Sequence, residues 1–277
     1  MRLPTPTPPI IGLARLAAVL LLPAAAAAAE LSAFDVMQRV DAREDGDTMV
    51  AEYTMVLIDR RDRERSRELA LYSKDFGADT RTLTRFQSPA DIAGTSYLNY
   101  DWSDPDRDDD SWLYLPALQR VKRLANSDTS DSFLGSDFTF ADINGFELEW
   151  YDYRYINEAE TIDGQEVWVI EATPKPEVRE KAEDATGYSR LQAWIRKDNF
   201  IQVRAQAWEL RGNRVKYFSS GDIRQIDGIW TVGRQQAVTT RNGRQEHASV
   251  LQLESVRYNT SIQDDLFTTE ALQRGID

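Results

Sequence analysis

The sequence predicts a mainly β protein: one strongly curved antiparallel sheet with a few helices. Three observations carry this. Apolar and polar residues alternate over long stretches, the period of half-buried strands. Asp163-Gly164, Asp227-Gly228 and Asn242-Gly243 separate such stretches, and these dipeptides are the strongest short-range hairpin signals. The spacing of the turns implies strands of about ten residues, and a single sheet with so many long strands is expected to curl.

The elements follow in chain order. Ser32 and Asp35 have the spacing of a capping box, and Phe34, Met37 and Val40 recur at helical spacing, which predicts a helix over 33–44 stopped near Gly46. From Met49 the period is two, through Ile58. Strands then follow over 64–76, 80–87, 95–102 and 111–115, the last ending at Pro116. Residues 121–124 read as a short strand. Residues 131–143, rich in Phe and Asp, read as a loop with short helical turns. The second half is a run of strands over 146–156, 165–173, 188–197, 200–211, 214–224, 229–241 and 244–258. The charged stretch 175–186 reads as a mobile connection, and 262–275 as a loop with a short helix.

The first 29 residues read as a leader. Arg2 and Arg15 are the only charges before Glu30, and Leu16 to Ala29 is an apolar stretch of 14 residues ending in six alanines. That is a basic region, a short apolar region and an Ala-x-Ala cleavage site, too short for a membrane span of roughly 20 residues. The expected organisation is a signal peptide over 1–29 and one domain over 30–277, exported to the periplasm.

Composition excludes several functions. The 277-residue chain has no Cys and one His. It therefore has no disulfide framework, no thiolate metal site and no acylated N-terminal Cys. A net charge of −13 argues against a nucleic-acid binder, which needs a basic face. With 42% hydrophobic and 10% aromatic residues the chain can build a core. The acidic loop 104–110 fails the calcium-loop pattern, since Asp109 and Leu115 stand where Gly and Glu are required. No nucleophile elbow or other motif with catalytic mechanics is present, so no catalytic residue, metal or cofactor is assigned.

The most specific segment runs from Trp112 to Leu124 and continues from Asp131 to Phe138. Trp112, Tyr114, Leu115 and Pro116, then Arg120 and Arg123, then Phe133, Gly135, Asp137 and Phe138, with Asp142 shortly after, resemble the outer-membrane lipoprotein-sorting family, the LolA-like group often found beside RND/MMPL-type transporters. The resemblance implies a LolA/LolB-like β half-barrel with helices as a lid over an apolar cavity. It implies carriage of lipid, lipidated or other hydrophobic cargo in the periplasm, as a monomer that is not inserted in the membrane, with an inner-membrane RND/MMPL-type transporter as partner. A ligand-free interaction or sensor module, and a carbohydrate-active enzyme, are the alternatives.

On this reading the cavity or lid residues are Trp112, Tyr114, Leu115, Pro116, Phe133, Leu134 and Phe138. Ile201, Val203, Ala205 and Ala207, which alternate along one strand and whose small alanines leave volume, join them. Arg120 and Arg123 are the candidate contacts for a headgroup or partner. His247, beside Glu246, reads as structural or surface-exposed.

Overall fold

The computed structural model describes residues 31–274; the leader expected over 1–29 lies outside them. Thirteen strands form one antiparallel sheet. Six make the first half: β1 (Thr48–Ile58), β2 (Glu64–Phe76), β3 (Asp79–Ser88), β4 (Ser96–Asp101), β5 (Asp110–Leu115) and β6 (Arg120–Leu124). Seven make the second: β7 (Tyr151–Ile162), β8 (Gln165–Pro174), β9 (Tyr188–Arg196), β10 (Gln202–Glu209), β11 (Arg214–Ile226), β12 (Ile229–Arg241) and β13 (Arg244–Tyr258). Each half is a simple meander. The halves join where β1 pairs with β13, so the order runs β6 to β1, then β13 to β7.

The turn chemistry is as the dipeptides predict. Asp163, Gly164, Asp227, Gly228, Asn242 and Gly243 all have positive φ, the type I′ geometry whose twist matches that of the flanking strands.

The strongly curved half-barrel expected from the sequence is corrected. The sheet is open, not strongly curved and not closed on itself: β6 and β7 end it as unpaired edges. The physical reason lies in how its two faces are covered. One face carries a core of Met55, Leu69, Phe86, Tyr97, Leu113, Phe133, Phe138 and Phe140, with a second cluster of Val36, Ile170 and Ile195 under the first helix. The other face carries Leu83, Leu98, Phe267 and Leu272 at one end and Val167, Ile201 and Val203 at the other. Helices and loops bury apolar side chains on both faces, so the sheet does not need to wrap on itself to do so.

Helix α1 (Ala33–Asp41) starts at the expected capping box: Asp35 N donates to Ser32 Oγ at 3.1 Å, and Ser32 N donates to Asp35 Oδ2 at 2.9 Å. Its buried Val36 packs with Ile170 and Ile195. Helix α2 (Phe140–Asn144) has a second capping box, from Thr139 and Asp142. Helix α3 (Arg179–Thr186) occupies the stretch read as mobile. Its sequence is charged, but Ala182 and Ala185 are buried, Thr129 Oγ1 donates to Ala185 O at 2.7 Å, and Gly187 ends it at φ 78°, the left-handed conformation glycine adopts without strain. Helix α4 (Thr269–Arg274) lies over the face of β4 to β6.

Candidate functional site

The loop 132–139 is where the family-like motif and the fold meet. Phe133 N donates to Phe138 O at 2.7 Å and Ser136 N to Phe133 O at 3.0 Å. The tight turn between them puts Leu134 at φ 52° and Gly135 at φ 84°. A leucine in the left-handed region persists only where its surroundings over-determine it. Leu134 packs against the core, and its carbonyl accepts from Arg67 Nη1 at 2.6 Å.

Asp137 pins the same loop to the sheet. Its carboxylate is buried and accepts from Thr239 Oγ1 at 2.6 Å, from Ser249 Oγ at 2.8 Å and from His247 Nδ1. The Ser249 hydroxyl also accepts from Asp137 N at 2.9 Å. Ser249 and His247 both turn to the carboxylate rather than to each other, so this is a structural cluster and not a nucleophile with its base. The hydrogen bond to Asp137 raises the His247 pKa above the ordinary imidazole value. Partial burial opposes this, while the charges of Asp137 and Glu246 add to it and Arg214 subtracts. A group with a raised folded pKa stabilises most below its unfolded value, about 6.5 for His, and the increment is lost as pH rises through the folded value. The expected result is a wild-type protein that loses stability relative to His247→Gln as pH is raised from 6 to 9. The readout is the difference in denaturation midpoint between the two proteins at each pH; a constant difference refutes it.

Beside Phe138 lies a cavity of about 310 Å³. Its roof comes from Met37 and Val40 of α1, with Phe138, Phe146 and Leu148 from the long connection. Its floor comes from the sheet: Tyr151 and Tyr153 on β7, Ile170 and Ala172 on β8, Leu191 and Ala193 on β9, Ala205 on β10 and Phe218 on β11. Polar groups are fewer: Asp41, Asp142, Gln202, Ser219, Ser220, Gln235 and Gln236. The volume lies at the lower end of the range for ligand pockets, about 300–1,000 Å³.

A buried polar network backs this wall. Tyr188 Oη lies 3.0 Å from both oxygens of Asp142, and Lys216 Nζ donates to Tyr188 Oη at 3.1 Å. Lys216 is 3.6 Å from Asp142 and 3.8 Å from Glu209. Burial pushes the Asp142 carboxyl above its usual range against the pull of Lys216, and burial next to Asp142 raises Tyr188. Asp142 also accepts from Thr139 N at 2.8 Å as the cap of α2, so one side chain holds the connection to β9 and β11.

The structure divides the residues singled out from the sequence. Phe133, Leu134, Phe138 and Leu115 gather in one core, and of these Phe138 lines the cavity. Trp112 and Tyr114 lie on the opposite face of β5, in the cluster with Phe267 and Leu272. Pro116 opens a 3-10 turn at the end of β5. The row Ile201, Val203, Ala205, Ala207 is broken by a register shift between Gln202 and Arg204. A bulge inserts one residue and reverses the alternation beyond it. Ile201 and Val203 therefore join the far-face cluster, while Ala205 lines the cavity and Ala207 pairs with Leu191, another lining residue. Arg120 and Arg123 are exposed on edge strand β6, and Arg123 is bonded to Asp110. The roof residues of α1, the tyrosines of β7 and the Lys216 network were not marked as site residues. The Tyr151 and Tyr153 alternation was the available signal.

Many acidic side chains line an adjoining groove of about 720 Å³, which shares Asp41, Phe146 and Leu148 with the cavity and has Asp45, Asp75, Asp109, Glu147 and Glu149 among its walls. Partial burial and repulsion from Asp109 and Asp101 push Glu147 up to about 7. Among the described residues, no group of three or more His, Cys, Asp or Glu side chains is placed to hold a metal ion. No described helix is long and apolar enough to cross a membrane.

Comparison with known proteins places this architecture. A family model described as "-like: Uncharacterized protein" matches residues 78–274. A DUF1329 family protein from Desulfovibrio piger is 32% identical, with a TM-score of 0.77 over 87% of this chain and 98% of its own. A domain from Vibrio parahaemolyticus described as an outer membrane lipoprotein-sorting protein is 26% identical, with a TM-score of 0.76 over 87% and 98% of the two chains. A LolA superfamily protein from Nitrosomonas europaea, 18% identical, shares the fold with a TM-score of 0.65 over 87% and 100%. No curated protein sequence matches. With a family match over most of the chain and a 32% identical relative covered almost end to end, the chain belongs to that matched family and to the DUF1329 family, and it is structurally related to a LolA superfamily protein and to an outer-membrane lipoprotein-sorting protein domain.

Proposed function

We propose that this protein is a periplasmic carrier that holds lipid, lipidated or other hydrophobic cargo in the cavity beneath α1 and Phe138 and works with envelope transport machinery. The observation that carries the reading is the apolar cavity itself, walled by the sheet and roofed by elements outside it. A lipid chain gains about 0.8 kcal/mol for each methylene taken out of water, so an aqueous crossing needs such a shelter. Release needs a roof that can part from the floor, and α1 with Phe146 and Leu148 is the part of the roof not pinned by Asp137. The resemblance to a protein described as lipoprotein-sorting supports the cargo class and the compartment. The leader expected over 1–29, followed by Glu30 and not Cys, accords with that compartment. It is a binding protein and not an enzyme: its fold is LolA-like, and its sequence holds no motif with catalytic mechanics. Arg120 and Arg123, exposed on an unpaired edge strand, suit contact with a partner, for which an inner-membrane RND/MMPL-type transporter is the proposed candidate.

Native mass spectrometry of the protein purified from its host is expected to show bound lipid. Ser220→Trp, at a partly exposed lining position, fills the cavity and is expected to abolish those adducts while leaving the melting temperature within a few degrees. A wild-type protein that carries no lipid in any preparation overturns the carrier reading and favours a ligand-free interaction module.

A further inference from the structure

The cavity also carries information about which amphipath it accepts. Among the described residues, no Lys, Arg or His lines it. The nearest buried cation, Lys216, stands behind the wall. It is committed there, hydrogen-bonded to Tyr188 and flanked by Asp142 and Glu209. Asp41, at the end of α1, lies at the mouth, where partial burial raises its carboxyl above the usual range, and it offers no positive charge. Apart from the Asp142 carboxylate, which is bonded within the wall to Tyr188 and Thr139, the polar groups that face the interior are neutral and hydrogen-bonding: the carboxamides of Gln202 and Gln235 and the hydroxyl of Ser220. The register confirms that these share the inner face. Ser220 pairs with Gln235, two residues along from the pair of core residues Phe218 and Ala237, and Gln202 pairs with the inward Ile195.

Tyr151 adds an independent sign. It lines the same cavity, is 2% exposed, and its hydroxyl has no hydrogen-bond partner. The Thr186 hydroxyl is near enough to favour the ionised phenol without meeting hydrogen-bond geometry. A buried hydroxyl left unpaired is costly, and a ligand hydroxyl or ester carbonyl that reaches it removes that cost.

An anionic headgroup drawn into this site would lose its hydration and meet no cation, a penalty that ionised groups escape only by pairing. A hydroxyl or ester group loses far less and finds partners. We infer that the cavity selects uncharged amphipaths whose polar end carries hydroxyl or ester groups, and discriminates against anionic lipids with the same chain. This rests on the carrier reading above and deepens it.

The test is isothermal titration of delipidated mature protein at pH 8 with 1-decanoylglycerol and with decanoate, which share a chain and differ in charge. The expected result is binding of the glycerol ester at least about tenfold tighter than of the anion. Gln235→Lys, an exposed position on the cavity wall, is expected to raise decanoate affinity about tenfold and leave the ester unchanged, as a single introduced cation would. Decanoate binding as tightly as the ester to the wild type, or an unchanged ratio in Gln235→Lys, overturns the charge selection and leaves the carrier reading standing. Failure of both ligands to bind overturns both.

Discussion

Lys216→Met is expected to destabilise the protein by about 3–5 kcal/mol, the usual cost of removing one partner from a buried ion pair. Lys216 is 5% exposed, and it is the cation that faces Asp142 at 3.6 Å. Without it, Asp142 remains buried in the cavity wall with a charge that nothing offsets. The carboxylate cannot simply turn to water, because it is held by Tyr188 at 3.0 Å and by Thr139 N at 2.8 Å. Lys216→Met with Asp142→Asn should recover most of the loss, since the amide keeps the size and an acceptor without the charge. A urea-denaturation double-mutant cycle measures this. A double-variant loss equal to the sum of the two single losses would show that the pair is not coupled. The network joins α2 to β9 and β11 behind the cavity, so the same variant should bind the glycerol ester less well.

The second large effect concerns Asp137. Asp137→Ala leaves the hydroxyls of Thr239 and Ser249 without their shared acceptor, each buried at 2% exposure or less. Unpaired buried donors cost about 1–3 kcal/mol each, which sets the expected loss on the order of 3 kcal/mol. For a domain of this size each kcal/mol is worth about 2–4 °C, so the melting temperature should fall by roughly 6–12 °C. Asp137→Asn, which keeps one acceptor oxygen, should lose clearly less. Matching losses for the two variants would mean that packing, and not hydrogen bonding, holds the loop. His247 lies half-exposed against the same carboxylate, so its removal alone should cost much less than the loss of Asp137.

Strand content was legible because its signals are local. Alternation and the Asp-Gly and Asn-Gly turns need only neighbouring residues to be read, and the observed strands start and stop close to where those signals stand. Helix α1 was legible for the same reason, through Ser32 and Asp35. Helix α3 was not, because its charged surface hides two buried alanines whose contact, the segment around Thr129, lies some 56 residues away. The strand from Phe146 starts late, at Tyr151, since Leu148 to Trp150 form a 3-10 turn.

The site residues show the same division. Phe133, Leu134 and Phe138 were found by motif resemblance, and they do share one core. Ile201 and Ala205 have the same parity in the sequence and opposite faces in the sheet, because a bulge at Val203 costs no visible residue signature. Lys216, Asp142 and Tyr188 look like three unrelated surface residues until three elements bring them together.

By itself, the sequence determined that this is a long-stranded antiparallel β protein with no thiol chemistry, one histidine and a strongly acidic charge. Those properties belong to residue types and short spacings. The tertiary structure decided that the sheet stays open rather than forming a half-barrel, that its apolar cavity lies under α1 and Phe138, and that among the described residues no cation lines that cavity. Curvature depends on how both faces are covered, and a cavity is volume that residues distant in sequence leave unfilled. Neither quantity is written in the period of a single strand.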